Sequence, residues 1–457
     1  MPAPPLHKTE DWTISGDTLT FLAEPVDGKL VVAHYSYLDA AAVGASNGHT
    51  HIREQKSAWS GDTWQLTHTP EIAATPTVGQ MVVFQEDQGG NFMWVAWKIT
   101  GAPATMNIRN MELDVTGTFV SWACPAITGF DDVAGEFATG MAAHPTNRKL
   151  VYLATAATDG HIRLYRSDDW ATVTKVLDLT ATGTQQVSRI YVEKSSSYVW
   201  LSIGRVGGST THNVALDGIW GASDGITFTL RGGVLNRTHG DLWVKEAAPR
   251  KMWTWYSQVG VDNQGVAYST DDGANWTKVN VLANIFGLGL DRAVVQAFPP
   301  ITGDMDMRVT FQVRPASGLE IQAFHSADGG LTWINDGTSS VFQAYSTDGG
   351  SMFANPLIIN RPSTGDGPLA ITCLRTTTGG PPWTAGGPTF ALPGEQHRQH
   401  TIHWTLPWFA VSTNGVNSGL YVSVDSGANY VNNRPLAGFD GTVRFHGVAF
   451  VQNLSRP

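Results

Sequence analysis

One turn sequence recurs between residues 167 and 430, and it limits the possible folds more than any other feature. The pattern is Ser or Thr, any residue, Asp, any residue, Gly, two further residues and an aromatic. Its three complete copies have their key positions at Ser269, Asp271, Gly273 and Trp276; at Ser326, Asp328, Gly330 and Trp333; and at Ser423, Asp425, Gly427 and Tyr430. Short segments of alternating polarity precede the copies, so the pattern predicts turns between β-strands.

Three degenerate copies extend the series and begin at Ser167, Gly221 and Thr376. The second has Ser223 and the third Thr378 where the complete copies have Asp. The six copies follow one another at intervals of about fifty residues, which is the length of a four-stranded propeller blade. A further match that begins at Ser346 lies off this spacing.

The residue types of the motif suit a tight turn. Ser, Thr and Asp side chains bind backbone N–H groups within such turns. Gly supplies a backbone with positive φ, and the terminal aromatic packs into the core of the blade. The motif therefore predicts structural residues at the ends of strands, with no catalytic role for its aspartates.

Over roughly residues 126–457 the chain resembles the Asp-box, or BNR-repeat, β-propeller family, which includes sialidases. The resemblance implies an all-β fold, and six motifs predict six blades. The segment Phe445–Val451 reads as one more inner strand, which we expect to pair with N-terminal strands and close the ring. Two arrangements stay open: six blades with a strap, or seven with a composite blade.

Residues 1–125 lack the motif, and they form the predicted N-terminal, β-sandwich-like attachment region. Residues 11–21 and 25–35 read as a hairpin that ends in a strongly apolar strand. This hairpin resembles small β-sandwich modules of bacteriophage tail and fibre proteins. Further strands predicted around Trp64, Gln80 and Phe92 either complete a sandwich or form the first blade. The predicted domains are thus 1–125 and 126–457.

The sialidase resemblance transfers no catalytic residue. That family clamps a carboxylate with three arginines, one of them in an Arg-Ile-Pro motif, and uses a Tyr/Glu nucleophile pair. Here Arg163 is followed by Leu-Tyr and Arg189 by Ile-Tyr. A glycosidase of another kind needs two facing carboxylates. We interpret the acidic residues outside the turns as solvated loop acids: Asp131, Asp132, Glu136, Asp217, Asp241, Glu246, Asp304, Asp306, Glu320 and Glu395.

Histidine and tryptophan clusters give weaker signals. His49 and His51 share one face of an extended segment, which makes them the only candidate metal ligands, but we interpret them first as satisfied or surface histidines. His397, His400 and His403 recur every third residue, which does not converge on one face of a strand. The aromatic segments 252–256 and 404–408 offer flat faces for sugar rings, but packing between blades is the alternative. No cofactor is expected.

Composition excludes several classes of function. The net charge of −10 and the lack of basic runs disfavour nucleic-acid binding. No apolar window is long enough for a membrane span, and the N-terminus lacks the pattern of a secretory signal. Cys124 and Cys373 are the only cysteines, and the redox state of such a pair is open.

These observations together favour a bacteriophage virion protein. We expect a tail or tail-fibre component that binds a host-surface glycan or protein, with other virion proteins as partners. Analogy with that class predicts a homo-oligomer, a trimer. Two alternatives stay open: an Asp-box glycoside hydrolase that acts on host polysaccharide, and a non-catalytic virion hub or decoration protein.

Overall fold

The structure is a computed structural model. It describes residues 12–15, 18–21, 31–38, 48–55, 64–65, 92–99, 106–131, 133, 135–145, 147–181, 185–194, 196–205, 213, 215–231, 238–246, 248–257, 264–282, 292–297, 307–313, 320–339, 343–347, 357–361, 369–375, 384–385, 390–392, 396–402, 408–414, 419–425 and 428–450. Side chains are described within 92–279, 324–335 and 401–450.

The chain divides into two compact units, residues 1–88 and 89–457. In the first unit, strands β1 (Trp12–Ser15), β2 (Thr18–Phe21) and β5 (Trp64–Gln65) form one antiparallel sheet, in which β1 and β2 are a hairpin. Strands β3 (Val31–Leu38) and β4 (Gly48–Gln55) form a second antiparallel pair. The sequence predicted a hairpin between residues 11–21 and 25–35; in the structure β1 and β2 pair with each other within residues 12–21, and β3 pairs with β4 instead.

The second unit contains 29 strands among its described residues. In chain order these are β6 (Phe92–Ile99), β7 (Met106–Leu113), β8 (Phe119–Trp122), β9 (Phe137–Ala143), β10 (Val151–Ala156), β11 (His161–Ser167), β12 (Thr174–Thr180), β13 (Gln185–Val192), β14 (Val199–Arg205), β15 (Gly218–Ala222), β16 (Thr229–Arg231), β17 (Thr238–Lys245), β18 (Lys251–Ser257), β19 (Gln264–Ser269), β20 (Thr277–Leu282), β21 (Arg292–Ala297), β22 (Met307–Val313), β23 (Glu320–Ser326), β24 (Ile334–Ser339), β25 (Gln343–Thr347), β26 (Leu357–Arg361), β27 (Leu369–Arg375), β28 (Thr384–Ala385), β29 (Phe390–Leu392), β30 (Gln396–Ile402), β31 (Phe409–Asn414), β32 (Leu420–Ser423), β33 (Val431–Asn432) and β34 (Val443–Phe450).

These strands form seven antiparallel sheets among the residues described. Six sheets use strands that are consecutive in the chain: β9–β12, β13–β16, β17–β20, β21–β24, β25–β28 with β29 beside β27, and β30–β33. The seventh has the order β34-β6-β7-β8, so the last strand of the chain pairs with three strands that begin at residue 92. The expectation that Phe445–Val451 pairs with N-terminal strands agrees with this sheet.

The first strands of the sheets contact one another in succession. Strand β34 contacts β9, and the series continues through β13, β17 and β21 to β25, while β30 contacts β34 from the other side. A succession of four-stranded antiparallel sheets with their first strands together at the centre is a β-propeller. The all-β propeller class predicted from the sequence is thereby confirmed, and the number of blades stays a prediction.

The two compact units divide at 88/89, whereas the sequence placed a boundary at 125/126. The reason is that β6, β7 and β8 carry no turn motif and yet belong to the sheet that includes β34. Of the two interpretations of the strand at Phe92, membership of a propeller sheet is the one that fits this pairing.

The hydrophobic core lies between neighbouring sheets. One cluster joins Trp94 of β6 to Tyr165 of β11, and a second joins Phe445 of β34 to Val422 of β32. Two further clusters lie between the next pairs of sheets. The three sheets that have such a cluster on either side, β34-β6-β7-β8, β9–β12 and β13–β16, are therefore apolar on both faces. This explains strands such as β10 that are buried along their whole length.

The described part of the chain contains strands and turns and no helix, and so none that is long and apolar enough to cross a membrane.

Candidate functional site

The complete copies of the motif form turns that follow the third strand of a sheet. In the clearest, the Gly330 N–H donates to Ser326 Oγ at 2.7 Å, and the Ser326 hydroxyl donates to Asp328 Oδ1 at 2.7 Å. Asp328 also accepts the Thr332 N–H at 2.9 Å, and the Trp333 indole N–H donates to the Gly330 carbonyl at 3.0 Å. Although burial acts to raise it, these hydrogen bonds lower the pKa of Asp328 to about 2.

The other two complete copies repeat this geometry where they are described. Ser269 Oγ accepts the Gly273 N–H at 3.0 Å and donates to Asp271 at 2.8 Å, and Trp276 donates to the Gly273 carbonyl. In the third copy, Ser423 and Asp425 are joined at 2.8 Å, and Gly427 lies outside the described residues. Of the twelve turn residues that the sequence singles out, Ser269, Gly273, Ser326, Gly330, Ser423 and Asp425 take part in these hydrogen bonds.

The degenerate copies at Ser167 and Gly221 are turns one residue shorter. Asp224 accepts the N–H groups two and three residues ahead, whereas Asp328 accepts those three and four ahead. Only one residue of each short turn has positive φ, Gly225 (66°) or Trp170 (62°), whereas Gly329 and Gly330 both do. Matching the copies of the motif by position put Ser223 in the place of the turn aspartate, but in the structure Asp224 has that role. The copy at Thr376 lies outside the described residues.

Aromatic side chains of one sheet donate hydrogen bonds to the turns of the next sheet. The Trp253 indole N–H of β18 donates to the Gly329 carbonyl at 2.8 Å, across to the sheet of β23. The Tyr152 hydroxyl of β10 donates to the Gly225 carbonyl at 3.1 Å in the same manner. Each turn is thus part of an interface between sheets as well as a strand connection.

A buried ion pair connects two further sheets at this level. Glu193 is fully buried, and its carboxylate accepts Arg250 Nε at 2.5 Å, Arg250 Nη2 at 3.0 Å and the Trp200 indole N–H at 2.7 Å. The Arg250 N–H in turn donates to Asp272 in the turn of its own sheet at 2.9 Å. The side chains of these turns bind one another and the neighbouring sheets, so the turns are structural and offer no candidate functional site.

The register of each sheet places the start of the first strand opposite the turns. Ser167 pairs with Val151, which pairs with Ala143 at the end of β9, whereas Phe137 at its start pairs with Ala156. We call the two ends of the second unit the turn end and the bulge end. The bulge end is named after β-bulges in the first strands, which the sequence alone does not predict.

Six of the seven first strands carry a β-bulge near their start, at the third or fourth residue. In β9, for example, Ala138 and Gly140 pair with successive residues of β10, which leaves Thr139 as the extra residue. Strand β21 alone among the described first strands keeps a regular register. Bulges re-aim side chains and are common beside functional sites, so their recurrence at one level marks the bulge end as the candidate site.

The extra residues are polar, ionisable or glycine in every strand that has a bulge. We call this set the bulge ring: Thr139, Ser188, Gly240 with Asp241, Tyr345, Arg398 and His446. Strands of a buried apolar core would favour valine, leucine or isoleucine at such positions. Hydrogen-bonding and charged residues on six of the seven first strands supply polar groups of the kind that orient a ligand in a binding site.

Two buried polar atoms next to this ring have no partner among the described residues. Glu136 immediately precedes β9 and is 3% exposed; its Oε1 accepts the Thr155 hydroxyl at 2.6 Å and the Tyr165 hydroxyl at 3.4 Å, while its Oε2 accepts nothing. The Thr139 hydroxyl is likewise buried without a partner. A ligand at the bulge end would have to supply the hydrogen bonds that these two atoms lack. Atoms of the same kind also occur away from this end, at Ser167 Oγ and at the Asn110 amide, so they do not identify a ligand by themselves.

Tyr165 and Glu136 are a Tyr/Glu pair, but their environment does not suit a nucleophile. Tyr165 is 1% exposed within the core, and its hydroxyl also accepts the Asp131 N–H at 3.3 Å. Burial raises the pKa of Tyr165, so the hydroxyl stays protonated at neutral pH. The pair is therefore a buried structural contact.

Arg163, one of the arginines tested against the sialidase pattern, is engaged with carboxylates of its own sheet. Its side chain is 6% exposed, it forms an ion pair with Asp159, and its Nε donates to Asp131 at 3.1 Å. Lys175 donates to Asp131 and Asp178 at 2.8 Å each. In this outer cluster two cations and three aspartates form a network of ion pairs, which stabilises the edge of the sheet.

The remaining sequence candidates are distributed widely. His49 and His51 lie on β4 of the first unit, and their side chains lie outside the described residues. Trp253, Trp255 and Trp408 are buried, as expected for tryptophans that pack between blades and not for exposed faces that bind sugar rings. Cys124 is a buried free thiol whose pKa burial raises, and no cluster of three metal-ligand residues occurs in the described part.

Comparisons with known proteins give structural neighbours only. No protein-family model matches the chain, and no curated protein matches its sequence. Similar solved structures include the GH74 xyloglucanase from Xanthomonas campestris (17% identity, 71% of this chain, TM-score 0.45), a PL25 ulvan lyase (10%, 66% of this chain and 85% of that one, TM-score 0.40) and YCF48 from Cyanidioschyzon merolae (11%, 66% and 86%, TM-score 0.38). The match spans 53% of the xyloglucanase. Identities and TM-scores this low carry no inference about activity.

Proposed function

We propose that this protein is a component of a bacteriophage tail or tail fibre, and that its propeller binds a host-surface glycan or protein at the bulge end. The observation that carries the binding site is the set of polar extra residues at one level of the first strands, with the unpartnered Glu136 Oε2 beside it. We also infer that the propeller is of the Asp-box type, because its turns use the Ser-x-Asp-x-Gly geometry repeatedly.

Rigidity supports a binding role. The turn end is fastened by hydrogen bonds between sheets, such as that from Trp253 to Gly329, and by the buried pair of Glu193 and Arg250. A scaffold that is fixed at one end presents the other end in a defined geometry. Preorganisation of this kind reduces the entropy lost on binding.

The virion assignment rests on the first unit. The segment of residues 11–35, whose sequence resembles bacteriophage tail and fibre modules, contains β1 and β2, which pair with each other, and β5 extends this pair to a sheet. Such a unit suits attachment to other tail proteins, while the second unit is available to the host surface. Partners would then be virion proteins on one side and a cell-surface molecule on the other.

Cell adsorption tests the proposal. Fluorescently labelled protein is incubated with a panel of bacterial strains, and bound protein is measured after washing. We expect binding to a subset of strains, together with competition against phages that infect them. If the protein binds none of the strains that phages carrying this chain infect, and does not compete, the proposal is wrong.

Glycoside hydrolysis is the second candidate, because one specific observation favours it. Asp241 is a bulge-ring residue and Glu136 lies at the same end, and a glycosidase requires two carboxylates. Reducing-sugar release from the polysaccharide of a bound strain distinguishes the candidates. We expect none; release that Asp241→Asn abolishes would establish the enzyme. Co-assembly with tail proteins without any cell binding would instead indicate a structural hub.

A further inference from the structure

The guanidinium of Arg109 on β7 is held in one orientation. Its Nε donates to the Cys124 carbonyl at 2.6 Å, and its Cζ lies over the Trp122 ring, 4.4 Å from the ring centroid. The hydrogen bond and the ring contact together define both the position and the tilt of the group. The Trp122 ring is itself fixed by Trp97 at 6.2 Å and Phe439 at 5.4 Å between ring centroids.

The two terminal nitrogens of Arg109 have no partner among the described residues. Neither Nη1 nor Nη2 forms a hydrogen bond there. Arg109 is half-buried, but neither nitrogen belongs to the buried side-chain atoms that lack a partner, so both reach the solvent. A guanidinium has five N–H donors, of which only the one at Nε is used here. Four donors at the outer end of the group are therefore available to a ligand.

No carboxylate in the described part of the chain balances this guanidinium. Glu112 lies on the opposite face of β7, since it is three residues further along the strand, and it accepts the Ser121 hydroxyl at 2.8 Å. Asp114 accepts two N–H groups of its own turn, at 2.8 and 3.0 Å. Asp440 likewise accepts groups of the turn in which it lies. The acidic side chains nearest along the chain are thus engaged elsewhere.

The absence of a counterion among these residues is notable because Arg109 is partly withdrawn from water. Burial lowers the pKa of Arg109, and the Cys124 thiol acts in the opposite direction. That thiol stays neutral, because burial raises its own pKa. Arg163 and Arg250 have the usual arrangement, in which a buried guanidinium forms ion pairs with at least two carboxylates. Arg109 therefore lacks the partner that a charge in such a position normally has.

Arg109 lies between two sheets, in the half of β7 nearer the bulge end. Strand β7 begins at that end, because Met106 pairs with Lys98 of β6 beside the start of β34. Met111 is on the same face of β7 as Arg109 and belongs to the cluster shared with the β30–β33 sheet. Arg109 and Trp122 belong to the third and fourth strands of their sheet, so this site lies outside the bulge ring.

We propose that Arg109 binds the carboxylate group of a ligand through Nη1 and Nη2, and that this ligand is an acidic sugar residue. The terminal nitrogens of a guanidinium present parallel donors that match the two oxygens of a carboxylate, and such paired hydrogen bonds are short and strong. One carboxylate also cancels the charge of one arginine. The sugar rests on the proposed function, in which a host-surface glycan binds at the bulge end, whereas the carboxylate rests on Arg109 alone.

Ligand-detected NMR titration of the full chain tests this inference. The first probe is D-glucuronate, and the second is D-glucuronamide, which has the same ring with a neutral amide in place of the carboxylate. We expect glucuronate to bind at least about tenfold more tightly, because hydrogen bonds to a charged group are the stronger ones. Acetate is the third probe, a carboxylate without a ring. If it binds as tightly as glucuronate, the sugar is refuted as the ligand.

Two variants assign the contact, and a third is the matched control. Arg109→Gln should weaken glucuronate by about tenfold or more, and Arg109→Lys should weaken it by less, since it keeps the charge and loses the planar fork. Arg148→Gln removes another half-buried arginine that lies over aromatic rings, those of Phe92 and Trp170, at the turn end. It should leave binding unchanged. Thermal melting verifies that each variant folds.

The inference fails if glucuronate does not bind, if glucuronamide binds as tightly, or if Arg148→Gln weakens binding as much as Arg109→Gln. Where Arg109→Gln does not fold, Arg109→Lys decides in its place, and an unchanged affinity in that variant refutes the paired contact. Cell adsorption without glucuronate binding would refute this inference and leave the proposed function standing. Glucuronate binding that depends on Arg109, without cell adsorption, would do the reverse.

Discussion

The glycine of the turn motif offers a quantitative test of the contacts between sheets. Gly330 has φ of +94°, and a methyl group added there would lie 2.9 Å from Nε1 and 3.2 Å from Cδ1 of Trp253 in the neighbouring sheet. Gly330→Ala thus has two effects. An alanine in the left-handed region costs about 1–2 kcal/mol. The indole must also shift, which breaks its 2.8 Å bond to Gly329 and leaves a buried donor unpaired, for about 1–3 kcal/mol more.

Gly438→Ala is the matched control. Gly438 has φ of +80°, and a methyl group there meets nothing within 4 Å, so the substitution has the backbone effect alone. Urea unfolding gives the free energy of unfolding of both variants. We expect about 2–5 kcal/mol of destabilisation for Gly330→Ala and about 1–2 for Gly438→Ala. If the two lose equal stability, the turn is not coupled to Trp253, and the proposed interface between sheets is wrong.

Three further predictions concern stability. The pKa of Asp328 is lowered to about 2 in the folded protein, against about 4 in the unfolded chain. The stability that Asp328 contributes is therefore complete above about pH 4 and is lost as the pH falls to about 2. Asp328→Asn should flatten the acid side of a plot of melting temperature against pH, and an unchanged plot would contradict this. Arg250→Ala removes the ion-pair partner of the buried Glu193 and should lower the free energy of unfolding in urea by about 3–5 kcal/mol. A loss below about 1 kcal/mol would contradict a buried ion pair. Asn110 is fully buried and its amide has no partner among the described residues, whereas the equally buried Asn433 binds two backbone groups. Asn110→Leu should change the free energy of unfolding by less than about 1 kcal/mol, and Asn433→Leu should lower it by about 1–3 kcal/mol. A larger loss for Asn110→Leu than for Asn433→Leu would refute this assignment.

The sequence was sufficient for the features that depend on local chemistry. Ser326, Asp328 and Gly330 form the expected turn, since each residue type has one suitable role there. The pairing of the last strand with N-terminal strands was also foreseeable, because an apolar segment after the last motif needs a partner sheet. The short turn at Asp224 was misaligned by one residue, because both Ser223 and Asp224 suit a turn and only the loop length separates them.

The bulge ring could not be found from the sequence. A bulge is a difference in register between two strands, and neither strand alone reveals it. Arg398 lies between His397 and His400, and the spacing of these histidines gives no sign of a bulge at the arginine. A clue was nevertheless present: in β9 and β13 the polar residues Thr139 and Ser188 follow two and three strand residues, where alternation with the core would otherwise continue.

The most direct test of the account is equilibrium adsorption of three proteins to one bacterial strain that the unmodified protein binds. These are the unmodified chain, the double variant Asp241→Asn with Arg398→Gln at two bulge-ring positions, and a Lys278→Gln control at an exposed position of β20. If the bulge end is the binding surface, the double variant loses adsorption while the control retains it, and both melt at temperatures close to that of the unmodified chain. Equal adsorption by all three folded proteins would contradict the claim that this end of the propeller binds the host surface.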